Sequence, residues 1–125
     1  MIHQIPVLTD NYIYVIHDPL TSKTAVVDPA VSEPVIDFLE QRSWTLDRIF
    51  NTHHHLDHVG GNHALKEFYN CEIVGSELDR QRIPGIDVTV QEGSIVTLGE
   101  LSLEVLEVFG HTRFHIAYYC ASLGA

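Results

Sequence analysis

The sequence predicts an α/β sandwich, sheet inside and helices outside, built as one domain of 125 residues. Runs of β-branched and aromatic residues of strand length dominate the first and last thirds of the chain. Two segments with helical spacing lie between strand groups, and turn-forming pairs separate the elements. The length suits one core.

In order, Ile2 to Leu8 reads as a strand, Asp10-Asn11 as a turn, and Tyr12 to Ile16 as a second strand. His17-Asp18-Pro19 turns the chain into a third, Thr24 to Val27, which ends at Asp28-Pro29. These three form a meander of an antiparallel sheet. Ser32 is the expected N-cap of a helix running to about Arg42, with Pro34 in its first turn and Val35, Ile36 and Leu39 on one side. Leu46 to Asn51 returns as a short strand. Gly60-Gly61 precedes a second helix, roughly Asn62 to Tyr69, with Ala64, Leu65 and Phe68 expected on its apolar face. Glu72 to Gly75 is a short buried strand, and Ser76 to Asp87 is irregular with a turn at Pro84-Gly85. Val88 to Val90, Ser94 to Leu98 and Leu101 to Val108 are three further strands, separated by Glu92-Gly93 and Gly99-Glu100. His115 to Cys120 is the last element.

Composition excludes several classes. Hydrophobic residues make up 45% and charged ones 19%, as in globular proteins. Seven basic against 17 acidic residues give a net charge of −10, which repels phosphate backbones, so no nucleic-acid partner is expected. No apolar run approaches the ~20 residues of a membrane span. The start Met1-Ile2-His3-Gln4-Ile5-Pro6 lacks the basic and apolar stretches of a secretory signal, and a cytoplasmic location is expected. Cys71 and Cys120 sit in apolar runs and read as buried free thiols.

The anomaly is histidine. Of nine, His53, His54, His55, His58 and His63 fall within eleven residues. The run Thr52-His53-His54-His55-Leu56-Asp57-His58-Val59-Gly60-Gly61 sits where a strand ends and a helix follows. In an extended loop, residues two apart point the same way, so His53, His55 and Asp57 can converge while His54 points elsewhere. His58 faces away from that direction. One segment can therefore serve two metals, His53 and His55 on one, Asp57 and His58 on the other. Imidazole and carboxylate suit zinc, and iron or manganese as well. Gly60-Gly61 lets the backbone turn sharply. His111 follows a long strand at Gly110 and reads either as a third ligand or as a core histidine; the cluster favours the ligand. His115 reads as structural, and His3, His17, His54 and His63 as ordinary.

This run resembles the metal motif of the metallo-β-lactamase-fold hydrolases. With Leu8-Thr9-Asp10-Asn11-Tyr12, Val26-Val27-Asp28-Pro29, Gly110-His111-Thr112 and His115-Ile116-Ala117-Tyr118-Tyr119, the chain from Ile5 to about Tyr119 is similar to glyoxalase II, the hydroxyacylglutathione hydrolases. The resemblance implies an αββα sandwich holding two zinc ions, one on His53, His55 and His111, the other on Asp57 and His58. It implies hydrolysis of S-(2-hydroxyacyl)glutathione, such as S-lactoylglutathione, to glutathione and a 2-hydroxy acid. In the mechanism that the resemblance implies, a metal-bound hydroxide would attack the thioester, and Asp57, the catalytic residue, would orient it.

There are departures from that pattern. The family continues to an Asp bridging the metals, a further His ligand and a helical glutathione-binding domain, whereas this sequence stops at Ala125. A truncated domain with impaired turnover, a weakly held second metal and self-association through an exposed sheet edge are the corresponding expectations. Phe109 stands where the family usually has Pro, and Phe114 where it usually has Gly. The rival readings are an iron-dependent oxygenase on the same fold and a metal-binding fragment without turnover.

Overall fold

The computed structural model describes residues 2–7, 11–52, 60–83, 85–109 and 114–120. The elements are β1 (Ile2–Val7), β2 (Asn11–Asp18), β3 (Lys23–Val27), α1 (Glu33–Arg42), β4 (Arg48–Phe50) and α2 (Asn62–Tyr69). They continue with β5 (Glu72–Ser76), a 3-10 turn (Glu77–Asp79), β6 (Val88–Val90), β7 (Ile95–Leu98), β8 (Leu101–Phe109) and β9 (Phe114–Tyr119). A six-stranded sheet runs in the order β1 to β6, and β7, β8 and β9 form a second sheet. The expected meander is present: β1, β2 and β3 pair antiparallel, and β3, β4, β5 and β6 are parallel. Parallel neighbours need crossovers: α1 lies in the one from β3 to β4 and α2 in the one from β4 to β5, while β5 reaches β6 through a connection that holds only the 3-10 turn.

Alternation along the central strands explains the layers. Val15, Val26, Ile49 and Ile73 join Val35, Leu39 and Leu65 in a core between the large sheet and the helices. Their neighbours Ile16, Ala25, Phe50 and Val74 point the other way, onto Val96, Leu98, Leu103, Val105 and Ile116 of the second sheet. Period-two side chains thus feed two cores at once. Each fully buried Val, Leu, Ile or Phe contributes roughly 1.5–3 kcal/mol. Both cysteines are buried and outside any disulfide, and no described helix is long and apolar enough to cross a membrane.

Two helix details differ from the sequence reading. Ser32 occupies the N-cap position of α1, but its backbone is helical and its side chain makes no capping bond; its carbonyl accepts from Ile36 instead. In α2 the inner face is Asn62 and Leu65, while Ala64 is exposed and Phe68 is 58% exposed. The buried Asn62 sets the rotation: its amide pairs with Asn51, which turns Phe68 outward.

At the amino-terminal ends of the parallel strands, two tight structures lock the layers. The buried Asp18 carboxylate accepts from Leu20 N–H (3.1 Å), the Thr21 hydroxyl (2.7 Å) and Glu100 N–H (2.7 Å), tying the β2–β3 turn to the β7–β8 turn. Nearby, the His17 ring is buried and stacks on Trp44 at 3.7 Å and 7°, with Nδ1 2.8 Å from the Thr24 hydroxyl. His17 is therefore not an ordinary surface histidine. Burial is the main cause holding its pKa below the usual 6.5, against an opposite pull from Asp18 and Asp47. The unfolded chain then takes up this proton first, so the stabilisation is complete above about pH 6.5 and is lost as pH falls below it. Urea denaturation of metal-free protein, followed by circular dichroism, is expected to show stability declining from pH 7.5 to 5.5. His17→Gln should flatten that decline; an equal slope in both proteins would contradict the assignment.

Candidate metal centre

The carboxyl ends of β3, β4 and β5 lie side by side, the usual place for ligand-binding loops in a parallel sheet. Asp28 follows β3 with a left-handed backbone (φ 51°), a conformation Asp tolerates better than most residues. Its N–H donates to Phe50 O (3.0 Å), and Asn51 N–H donates to Val74 O (2.8 Å), which carries the parallel pairing beyond the strands. The buried Asp28 carboxylate then takes hold of Thr52. It accepts from Thr52 N–H at 2.8 Å and from the Thr52 hydroxyl at 2.5 Å.

From Thr52 the chain enters 53–59, and its return is anchored equally firmly. Gly61 N–H donates to Pro29 O at 2.7 Å. A side chain there would lie 2.8 Å from Pro29 O and 2.8 Å from the Val31 carbonyl carbon, so glycine is required by close approach. The backbone of Gly61 is helical, with φ −92°, so the residue serves packing and not a left-handed turn. The Asn62 amide donates to Asn51 Oδ1 at 2.5 Å, joining the start of α2 to the end of β4.

The second sheet reaches the same point. Ile116 N–H of β9 donates to Thr52 O at 2.9 Å, and the Tyr118 hydroxyl donates to Asn51 O at 2.8 Å. Phe109 and Phe114 form the last pair of β8 and β9, leaving 110–113 as the connection. Burial of the phenol, then the Asp28 charge, hold the Tyr118 proton in place far above the ordinary tyrosine range, so the hydroxyl remains a donor.

His53, His55, Asp57 and His58 fall in 53–59 and His111 in 110–113, outside the described residues. The described flanks of both segments meet at Thr52. His53 is one peptide from that junction, and His111 is five residues before Ile116, within about 17 Å of it at full extension. Imidazoles with a carboxylate are a zinc-type donor set, and the described flanks of the two segments that carry them meet at one point. Among the described residues no group of three or more His, Cys, Asp or Glu could hold a metal. Burial pushes the Cys71 thiol up to about 11, which leaves it protonated and a poor nucleophile. A cavity of about 250 Å³ at the opposite end is bordered by Lys23, Asp47, Arg48 and Glu72. These charges pair with one another, Lys23 with Asp47 and Arg48 with Glu72.

Sequence reasoning missed Asp28, Asn51, Asn62 and Tyr118 as parts of this framework. Tyr118 had a usable signal. It shares the inward face of β9 with Ile116 and precedes buried Cys120 by two, and an inward tyrosine hydroxyl needs an acceptor.

The hydroxyacylglutathione hydrolase of Methylococcus capsulatus is 52% identical over 93% of this chain and 45% of its own length. The chain spans about half the length of the curated relatives it matches. The crystal structure of ETHE1 from Myxococcus xanthus superposes with a TM-score of 0.80 at 31% identity, over 97% of this chain and 54% of that one. The BLEG-1 B3 metallo-beta-lactamase gives a TM-score of 0.86 at 22% identity, over 98% of this chain and 68% of that one, a likeness of fold alone. Residues 7–124 match the Metallo-beta-lactamase superfamily, and the chain belongs to that family.

Proposed function

We propose that this chain is the metal-binding half of a glyoxalase II-type thioesterase, which converts S-(2-hydroxyacyl)glutathione such as S-lactoylglutathione to glutathione and a 2-hydroxy acid. The observation that carries the reading is its identity of about half with relatives named hydroxyacylglutathione hydrolase, over more than nine-tenths of its length. The tie between Ile116 and Thr52 supports it, because it draws together the flanks of both histidine-bearing segments.

In this reading His53, His55 and His111 hold one zinc, and Asp57 with His58 provide part of a second site. A bound divalent ion supplies Lewis acidity and a water-derived nucleophile at neutral pH. The residues of the chain do the rest. The imidazoles would hold the ion without adding negative charge, and Asp57 would orient the attacking group as well as bind metal. Asp28 and Gly61 fix the two ends of the segment that carries His53, His55, Asp57 and His58.

Metal analysis after dialysis, set beside thioester turnover, tests this. One zinc per chain is expected, with S-lactoylglutathione hydrolysis below ~1 s⁻¹ for the 125 residues and at enzyme-typical rates for a protein of the relatives' length. No retained metal overturns the reading. Oxygen consumption by an iron-loaded protein, with no thioester cleavage, favours the oxygenase instead.

A further inference from the structure

Tyr118 stands on β9, yet its hydroxyl reaches across the interface between the sheets. Its ring stacks on Phe50 of β4 at 4.9 Å and 24°, and its O–H is 2.8 Å from Asn51 O, with Val74 O further off at 3.4 Å. Asn51 O belongs to the peptide unit joining Asn51 to Thr52. The N–H of that same unit donates to the Asp28 carboxylate at 2.8 Å. Both polar atoms of one peptide are thus held by side chains, one from each sheet. The next carbonyl, Thr52 O, accepts from Ile116 N–H at 2.9 Å. Side chains therefore fix the plane of the Asn51–Thr52 peptide, and a backbone bond from β9 holds the carbonyl of the peptide that follows, the one leading into His53.

We infer that Tyr118 is a positioning residue for the metal centre, its hydroxyl fixing the direction in which the main chain leaves β4 toward the histidine segment. The inference rests on the metal-binding reading proposed above. Ligand geometry tolerates about 0.5 Å and 10–20° of error, and a tilt of the peptide at 51–52 is carried outward along the whole segment. A tyrosine that only filled the core would need an acceptor, but that acceptor would not have to be a carbonyl of the peptide that leads from β4 to Thr52 and the ligand-bearing segment.

The test compares Tyr118→Phe, which keeps the ring and removes the hydroxyl, with Tyr119→Phe on the exposed side of the same strand. Zinc affinity is measured by chelator competition, ligand geometry by the visible spectrum of the cobalt-substituted chain, and packing by urea denaturation of the metal-free chain. Tyr118→Phe is expected to weaken zinc binding about tenfold, in the range for groups that orient ligands without touching the metal, and to shift the cobalt bands. Tyr119→Phe should change neither. Asp28→Asn, acting on the other polar atom of the same peptide, should move affinity and spectrum in the same direction. If Tyr118→Phe shifts only the urea midpoint, with zinc affinity within about twofold of wild type and an unchanged cobalt spectrum, the inference is overturned while the metal reading stands. If the wild-type chain retains no zinc, the metal reading fails and takes the inference with it.

Discussion

Replacing His111 with Ala is expected to weaken zinc binding by at least about a hundredfold, whereas His58→Ala should cost the tightly held ion less than about tenfold. The asymmetry follows from counting donors in the proposed sites. The first site draws three imidazoles from this chain, enough for tetrahedral zinc with water in the fourth position, and loses a direct bond when His111 is removed. The second draws only Asp57 and His58 from these residues. Competition titration against a chelator, with the stoichiometry checked after dialysis, separates the cases. Equal losses from the two substitutions, or two ions retained through dialysis, would sink the ligand assignment. The hairpin carrying His111 begins and ends on the Phe109–Phe114 pair, so the experiment also shows whether these two departures from the family pattern permit the third ligand.

The second large effect concerns folding. Gly99 sits in the β7–β8 turn with φ 58°, and a side chain there would overlap the Thr21 hydroxyl and crowd the Asp18 carboxylate. Gly99→Ala combines a left-handed backbone, worth roughly 1–2 kcal/mol against alanine, with overpacking of roughly 1–3 kcal/mol. A melting temperature lower by about 10 °C is expected. A melt within about 2 °C of wild type would mean that the two turns separate freely. The clasp has an acid limit too. The Glu100 N–H first, then the Thr21 hydroxyl, hold the Asp18 pKa below its usual value. Its contribution is therefore full above about pH 4 and disappears as pH falls through the lowered value.

Local pattern was legible in the sequence, and the rotation of elements against one another was not. The alternation Val15-Ile16, Ala25-Val26 and Ile49-Phe50 identifies strands buried on both faces, because period two follows from the strand itself. The histidine spacing and the glycine pair likewise announce chemistry from residues close in the chain. Placing Phe68 inside α2 failed because Asn62 takes the buried position, and that depends on an amide partner eleven residues away. His17 looked ordinary for the same reason: its stack with Trp44 joins β2 to the segment after α1. Thr52 as a junction was less legible still. Its partners Asp28 and Ile116 lie on different sheets, and nothing near Thr52 in the chain encodes them.

The stack of His17 on Trp44 also makes the chain its own optical gauge. Trp44 is the single tryptophan and lies at the amino-terminal ends of the parallel strands, opposite Thr52. Protonated imidazole quenches indole emission, so the fluorescence of this one residue responds to the charge on His17 and to separation of the two rings on unfolding. It does so from the end of the sheet remote from Thr52. Emission from Trp44 therefore follows the scaffold, while cobalt absorption follows the centre, and one sample can report whether a variant has lost its metal, its fold, or both.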